Sequence, residues 1–513
     1  MNVALWLEAS ARSSPSAPAL LDGTTVVATY QQFAGRAAAI AAALKVRHGI
    51  DPGDRVAVFM PNRTDYLECL YGIWWAGAVA VPVNAKLHAR EAAWILQHAE
   101  ARLAFVTEKS AAALREAAEP PAGAALVDVD AGAFQDMRPA GSPVPPTSRS
   151  AHDLAWLFYT SGTTGRPKGA MLSHGNLVAM SLSYLADVDA VTADDAALYA
   201  APLSHGAGLY NFVHVRLGAR HVVPPSQGLD PGEIFALARA LRNVSMFAAP
   251  TMVRRLVEEA RKSGATGEGI KTIVYGGGPM YLADIREALS VLGPRFVQIY
   301  GQGESPMTIT ALGRRWHVAT DPRLGTVGRA HSVVEVRITG NDGEPLPADA
   351  NGEVEVRGLT VMAGYWRDPE ATAKSLRDGW LRTGDIGRLD ADGFLTLTDR
   401  SKDVIISGGS NIYPREVEEV LLQHPAVREA SVIGAADAEW GEVVVACVVT
   451  RPDVGVTDEA LDAHCLAAIA RFKRPKRYIR LAELPKNSYG KVLKVALREM
   501  VATASRLPLP RNN

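Results

Sequence analysis

Short apolar runs rich in valine and isoleucine recur along the first part of the chain: RVAVFM at 55–60, VAVPV at 79–83, LAFVT at 103–107, HVVP at 221–224 and TIVYG at 272–276. Amphipathic stretches separate them. Between 91 and 106, Ala92, Ile95 and Ala99 repeat at helical spacing before a strand-like run begins. Strands alternating with helices predict α/β architecture with largely parallel sheets. No repeat with a period of about 20 to 50 residues is present, which argues against a solenoid or propeller.

From about residue 325 the texture changes. VEVRITGNDGEPLP, GEVEVRG and GRLDADGFLTLTD are strands broken by turns, and Asn341-Asp342-Gly343 and Asp392-Gly393 are hairpin chemistry, so a small antiparallel sheet or barrel is expected. After Arg400 comes a compact tail of α+β character, with an amphipathic helix at PREVEEVLLQHP and a strand at EVVVACVVT.

At about 150 residues per domain, 513 residues make roughly three units. Hydrophobic residues at 48% and charged residues at 21% exclude disorder as the main state. Lys plus Arg number 54 against 55 Asp plus Glu, so no global field favours nucleic acid or an anionic membrane. The total hides an asymmetry: 471–513 holds 12 Lys or Arg against only Glu483 and Glu499. Cys69, Cys447 and Cys465 are too few and too scattered for a disulfide framework or a four-ligand zinc site, and fit a reducing, cytoplasmic setting. The first residues lack a basic stretch and an apolar core, so they do not read as a signal peptide. The longest uncharged window, between Asp195 and Arg216, contains Pro202, Ser204, His205, Gly206, Gly208 and Asn211. A membrane span would rarely tolerate these, and the window reads instead as a buried wall beside a site.

The most specific segment is Tyr159-Thr-Ser-Gly-Thr-Thr-Gly-Arg-Pro-Lys-Gly169, after the strand-like LAWLFYT. Its glycines and hydroxyls expose donors and Lys168 brings a cation, which together suit a polyphosphate. The Walker A pattern cannot be laid on it in register.

With this loop stand Tyr300-Gly301-Gln302-Gly303-Glu304, Trp380-Leu-Arg-Thr-Gly-Asp385, Asp399-Arg400-Ser401-Lys402 and Pro485-Lys-Asn-Ser-Tyr-Gly-Lys491. In this order the five motifs resemble those of the adenylate-forming superfamily of acyl-CoA synthetases, peptide-synthetase adenylation domains and luciferases, over nearly the whole chain. The resemblance implies an N-terminal ATP- and acyl-binding domain, 1–400, built of parallel-sheet sub-domains plus a small antiparallel barrel. A small mobile C-terminal lid, 401–513, would carry the catalytic lysine. The implied reaction uses ATP to convert a carboxylate to an acyl-adenylate, which coenzyme A then attacks, because oxide is too poor a leaving group for direct attack by a thiol.

The resemblance also implies roles. Thr160, Ser161, Gly162, Thr163, Thr164 and Lys168 would cradle the phosphates, and Glu304 would hold Mg²⁺. Tyr300 would stack on adenine, which Gly276, Gly277 and Gly278 would let lie flat against backbone, and Gly301 and Gln302 would belong to the same ATP/AMP site. Asp385 would bind the ribose, and Arg400 would add a ribose or phosphate contact. Lys491 would bridge the carboxylate and the α-phosphate, where charge peaks in the transition state. Lys402 would be the hinge for a domain rotation between two half-reactions. Gly408 and Gly409 would then face the pantetheine arm, while Lys473 and Arg474, in the basic run at 471–480, would meet CoA phosphates or serve as plain surface charge. His205 would gate the acyl carboxylate or simply pack.

Two departures stand out. Gly303 replaces the family's usual threonine, for which Gln302 or Ser305 would have to compensate, and Asn487-Ser488-Tyr489 replaces a threonine-rich sequence. Acyl-pocket walls are expected from 205–216, 247–252, 275–279 and 299–309, which are mainly apolar, aromatic or glycine. Malonate-type ligases have arginine before the Tyr-Gly pair, whereas this chain has Ile299. A dicarboxylate is therefore disfavoured, and fatty and aromatic acids remain. The alternatives are an adenylation enzyme loading a carrier protein and a non-catalytic acyl or nucleotide sensor. The expected partners are the acid, ATP and coenzyme A, with no nucleic acid, no transmembrane segment and room for a homodimer.

Overall fold

The computed structural model describes residues 1–117, 124–138, 144–160, 167–400, 403–407, 410–437, 439–452, 454–487 and 491–506, except the side chains of 133 and 504–506. Contacts divide the chain into two compact units. One comprises Met1–Gly277, Ala288–Val336 and Val356–Arg382; the other comprises Gly278–Glu287, Arg337–Glu355 and Thr383–Asn513.

Two sheets organise the first unit. In the six-stranded sheet, Ala125–Asp128, Ala101–Val106, Arg55–Phe59, Val79–Pro82 and Leu154–Thr160 run parallel in that spatial order, and Lys168–Ser173 closes the edge antiparallel. Their runs of valine and alanine are buried on both faces, as parallel sheets require. The expected helix forms at Ala89–His98, with Ala92, Ile95 and Ala99 buried against this sheet. In the nine-stranded sheet, six parallel strands lie between antiparallel edges: Phe296–Gln302, Ile270–Tyr275, Val244–Ala248, Ala196–Leu198, Arg220–Val223 and Pro18–Asp22. Thus both sheets carry the predicted parallel cores, and the edge hairpins are what the apolar runs did not reveal.

Helix His174–Asp187 follows the hairpin directly. The Ser173 side chain accepts from Asn176 N and fixes its start, in a capping box that satisfies two backbone donors.

In the second unit, Asp385 to Leu389 of the strand Trp380–Leu389 pair antiparallel with Leu395–Arg400, with Gly393 at positive φ in the expected Asp392-Gly393 turn. A further sheet is formed by Ile405–Ser407, Ser410–Ile412, Val427–Asp437, Gly441–Thr450 and Arg477–Arg480. Successive residues of Gly441–Thr450 face opposite ways. Val444, Ala446 and Val448 join a core with Val417 and Leu421, whereas Val445, Cys447 and Val449 join another with Leu484, Leu497 and Val501.

These compact units and the 1–400 and 401–513 division expected from the motifs cut the chain at different places. Polar contacts run along this division. Tyr281 Oη donates to Glu418 Oε2 at 2.8 Å, Leu282 N to Glu419 Oε2 at 3.3 Å, and Arg415 N to Asp399 Oδ2 at 3.1 Å, which draws 278–287 and 383–400 to the later residues. The three cysteines are buried and unpaired. Among the described residues no helix is long and apolar enough to cross a membrane.

Candidate active site

In the first unit the glycine-rich segment joins two antiparallel strands whose last paired residues are Thr160 and Lys168. The hairpin therefore holds both ends of the predicted phosphate loop in register. Ser161, Gly162, Thr163 and Thr164 lie outside the described residues. Beside the hairpin stands Glu304. Its Oε1 accepts from Tyr365 Oη at 2.7 Å and from Thr160 Oγ1 at 3.4 Å.

Tyr365 was not foreseen from the sequence, because it lies far along the chain in a stretch without a recognisable motif. The fold brings it in by backbone pairing. Met171 N donates to Gly364 O at 2.9 Å, Trp366 N to Gly169 O at 2.8 Å, and Met362 N to Glu304 O at 2.8 Å, so 362–366 runs between the hairpin and the glutamate. Burial and then the Glu304 carboxylate push the Tyr365 phenol well above its ordinary range, which keeps it a donor. The Lys168 ammonium sits 5.2 Å over the Tyr365 ring. Tyr365 thus touches the cation and the carboxylate that a metal–polyphosphate would both address.

The expected Mg²⁺ site can be tested on chemistry. A hard oxygen donor is present in Glu304, and among the described residues no cluster of three or more His, Cys, Asp or Glu surrounds it. One carboxylate beside a phosphate loop fits Mg²⁺, which commonly keeps water and takes substrate phosphates for the rest of its shell.

Gly303 is explained by packing. A Cβ there would run into Thr160 Cγ2 and come within 2.8 Å of Phe158 Cδ1. The space a side chain would need is filled by the residue that bonds Glu304. Ser305, one of the two residues expected to make up for the missing threonine, is fully buried and its hydroxyl pairs with Thr360 at 3.1 Å. Gln302 ends the strand bearing Tyr300 and Gly301, and Tyr300, which is buried, pairs across it with Thr310.

Gly276 and Gly277 follow strand Ile270–Tyr275, and Gly278 belongs to the other unit. At Gly276 a Cβ would approach Ile299 O to 2.5 Å and Ile299 Cδ1 to 2.7 Å, so only glycine allows this close passage of two strand ends. His205 lies 5.0 Å from the Phe158 ring, and its Nδ1 faces Ser204 O at 3.1 Å. Burial lowers its pKa to about 4, leaving a neutral imidazole near neutral pH. A small cavity of about 10 Å³ lies in this unit, lined by Ala207, Tyr210 and His214 from the uncharged window, with Tyr184, Phe247 and Val274. Tyr184 falls outside every predicted wall segment.

In the second unit, Asp385 and Arg400 are register partners, and Arg400 Nε lies 3.2 Å from Asp385 Oδ1. The predicted ribose acid and its neighbouring cation are therefore brought together. Lys491 is exposed, its backbone tied to Asn487 by bonds of 2.9 and 3.0 Å. Lys402, Gly408 and Gly409 lie outside the described residues. Members of the basic run already have carboxylate partners: Lys473 Nζ lies 2.7 Å from Glu416, Arg474 Nη1 2.7 Å from Asp462, and Arg480 Nη2 2.7 Å from Asp458. A coenzyme phosphate would have to compete with those acids.

Comparison with known proteins agrees with this arrangement. Residues 7–366 match the AMP-binding enzymes, and 416–491 match the AMP-binding enzyme C-terminal domain. A feruloyl-CoA synthase from an Amycolatopsis species is 38% identical over 96% of this chain and 98% of its own. A long-chain-fatty-acid–CoA ligase of Mycobacterium tuberculosis is 33% identical over 97% of this chain and 98% of its own. The crystal structure of ATP-bound MatB from Rhodopseudomonas palustris superposes with a TM-score of 0.89 at 30% identity, covering 99% of this chain and all of that one.

Proposed function

The chain belongs to the AMP-binding enzyme family, as an AMP-forming acid–CoA ligase, and we propose that it activates a fatty or aromatic monocarboxylic acid. In the first half-reaction a carboxylate oxygen attacks the α-phosphorus of ATP, the bond to the bridging oxygen breaks, and pyrophosphate leaves. In the second, the sulfur of coenzyme A attacks the acyl carbon and AMP leaves.

The observation that carries this reading is Glu304, held by Thr160 and Tyr365 beside the phosphate hairpin. When bound there, Mg²⁺ would neutralise phosphate charge. Lys168 and the loop donors would hold the phosphates, Tyr300 and the glycines after Tyr275 the base, and Asp385 with Arg400 the ribose. Lys491 would stabilise charge as the carboxylate attacks. We assign adenylation and thioester formation to a 1–400 body and a 401–513 lid turning about Lys402. Gly408, Gly409, Lys473 and Arg474 would serve the coenzyme in the second step. His205, neutral and packed on Phe158, would gate the carboxylate.

A monocarboxylate is favoured because Ile299 supplies no cation for a second acid group. The similar proteins are named for feruloyl and long-chain-fatty acids, which leaves the two tail classes to experiment. The unpaired cysteines support a cytoplasmic enzyme, and a homodimer is the assembly to test by sedimentation. Acid-dependent pyrophosphate release should occur with at least one fatty or aromatic acid, followed by a CoA-dependent thioester. Release with every such acid absent would overturn the assignment. Thioester formation on a carrier protein but not on coenzyme A would move it to carrier loading.

A further inference from the structure

The side of the hairpin turned away from Glu304 is held by a ring of contacts that closes on His98. Successive residues of a strand face opposite ways, so Tyr159 points away from the carboxylate that its neighbour Thr160 meets. Tyr159 is 7% exposed, and its Oη lies 2.8 Å from Nδ1 of His98, the last residue of helix Ala89–His98. Burial raises this phenol well above its ordinary range, so it keeps its proton and Nδ1 accepts it. The Tyr159 ring crosses its register partner Gly169, where a Cβ would come within 3.1 Å of Tyr159 Cζ. Gly169 O accepts from Trp366 N at 2.8 Å, and Trp366 Nε1 donates to His98 O at 3.1 Å, which returns the path to the histidine. Trp94 stacks on the imidazole with ring centroids 4.7 Å apart.

Tyr159, Gly169 and Trp366 are each the chain neighbour of a residue at the phosphate site. Tyr159 precedes Thr160, Gly169 follows Lys168, and Trp366 follows Tyr365. Those neighbours meet around Glu304: Thr160 and Tyr365 donate to its Oε1, and Lys168 lies over the Tyr365 ring. Adjacent residues share a planar peptide unit, so whatever fixes a member of the ring fixes its neighbour as well. His98, 61 residues before Tyr159, stands outside every motif and closes the ring from a separate helix.

We propose that His98 is a positioning residue for the ATP half-reaction: through Tyr159 and Trp366 it sets the backbone that presents Thr160, Lys168 and Tyr365 to the metal–polyphosphate. The proposal rests on the ligase reading above and adds to it a residue that acts from behind the site.

The test measures KM for Mg²⁺–ATP in acid-dependent pyrophosphate exchange by the full chain, and beside it the rate of thioester formation from supplied acyl-adenylate. His98→Leu keeps the bulk but offers the phenol no acceptor, and Tyr159→Phe removes one oxygen. Each should raise KM for ATP about threefold to tenfold, the size expected for one hydrogen bond, and the double variant should lose no more than either alone. In His98→Leu the thioester rate should stay close to that of the wild type, because pyrophosphate has already left. His98→Asn, whose Oδ1 takes the place of Nδ1, should bring KM back towards the wild-type value. Unchanged KM in folded His98→Leu and Tyr159→Phe overturns the proposal. So does an equal loss in both half-reactions, an additive loss in the double variant, or a His98→Asn no better than His98→Leu. Tyr159→Phe preserves the packing of the ring, so misfolding of the histidine variants leaves the proposal open to refutation. No exchange by the wild type with any fatty or aromatic acid overturns the ligase reading instead.

Discussion

Replacing Tyr365 by phenylalanine removes one oxygen atom and tests whether Glu304 is positioned or merely present. The phenol donates to Glu304 Oε1 at 2.7 Å, whereas the second donor, Thr160 Oγ1, is at 3.4 Å, so most of the orienting interaction resides in Tyr365. A hydrogen bond to a charged group is worth about 1.5–3 kcal/mol, and the low end applies because the pair is not fully buried. At about 1.4 kcal/mol per decade, Tyr365→Phe should weaken binding of the Mg²⁺–ATP complex roughly tenfold. Calorimetric titration with ATP and Mg²⁺ reads this directly, and acid-dependent pyrophosphate exchange at varied Mg²⁺ reads it in turnover. The ring still stacks beneath Lys168 and the backbone pairing of 362–366 is untouched, so the melting temperature should change little. Unchanged Mg²⁺–ATP affinity in a folded variant would refute a positioning role. So would an affinity loss that merely follows a large drop in melting temperature.

Gly303→Ala should destabilise the protein by about 1–3 kcal/mol through overpacking against Thr160 and Phe158, seen as a lower denaturation midpoint. Gly303→Ala combined with Thr160→Ser should recover much of that loss, since serine keeps the hydroxyl on Glu304 and drops the Cγ2 in the way. His174 is fully buried, accepts from Val3 N at 3.2 Å, and has its pKa lowered by burial to about 3. Unfolding lets it take a proton at its ordinary value of 6.5, so the unfolded state binds more protons between about pH 6.5 and 3, and stability must fall as pH falls through that window. The slope from one such imidazole is at most about 1.4 kcal/mol per pH unit, and His174→Asn should flatten it in melts across pH 4 to 7. Lys491→Ala should abolish adenylate formation but leave thioester formation from supplied acyl-adenylate largely intact; equal loss in both assays would contradict the assignment.

Much of the architecture was legible because the sheet interiors leave a plain trace. Strands such as Arg55–Phe59 and Val79–Pro82 are buried on both faces, so their sequences are nearly pure valine, alanine and phenylalanine. The glycine-rich segment after Leu154–Thr160 stood out for a chemical reason, its density of glycines and hydroxyls, but the antiparallel return strand Lys168–Ser173 that closes it did not. The pairing of Asp385 with Arg400 was legible only in part: the Asp392-Gly393 turn aligns Gly387 with Leu397, and a register shift between Ile386 and Gly387 then moves Asp385 opposite Arg400. Other features depend on contacts between distant segments. Tyr365 reaches Glu304 only because 362–366 pairs with the hairpin, and nothing near it in the chain signals a donor. The ion pairs of Lys473 and Arg474 with Glu416 and Asp462 are equally silent, because a run of bases does not name its partners. The membership of Gly278–Glu287 in the second unit depends on Tyr281 and Leu282 meeting Glu418 and Glu419.

The central claim is that acid activation through an adenylate precedes transfer to coenzyme A. Exchange of labelled pyrophosphate into ATP, measured without coenzyme A, tests it most directly, because exchange requires reversible formation of the adenylate at the site around Glu304. The account predicts exchange that depends on the carboxylic acid, proceeds without coenzyme A and is lost in Glu304→Gln. Exchange that requires coenzyme A, or that persists undiminished in Glu304→Gln, would contradict it.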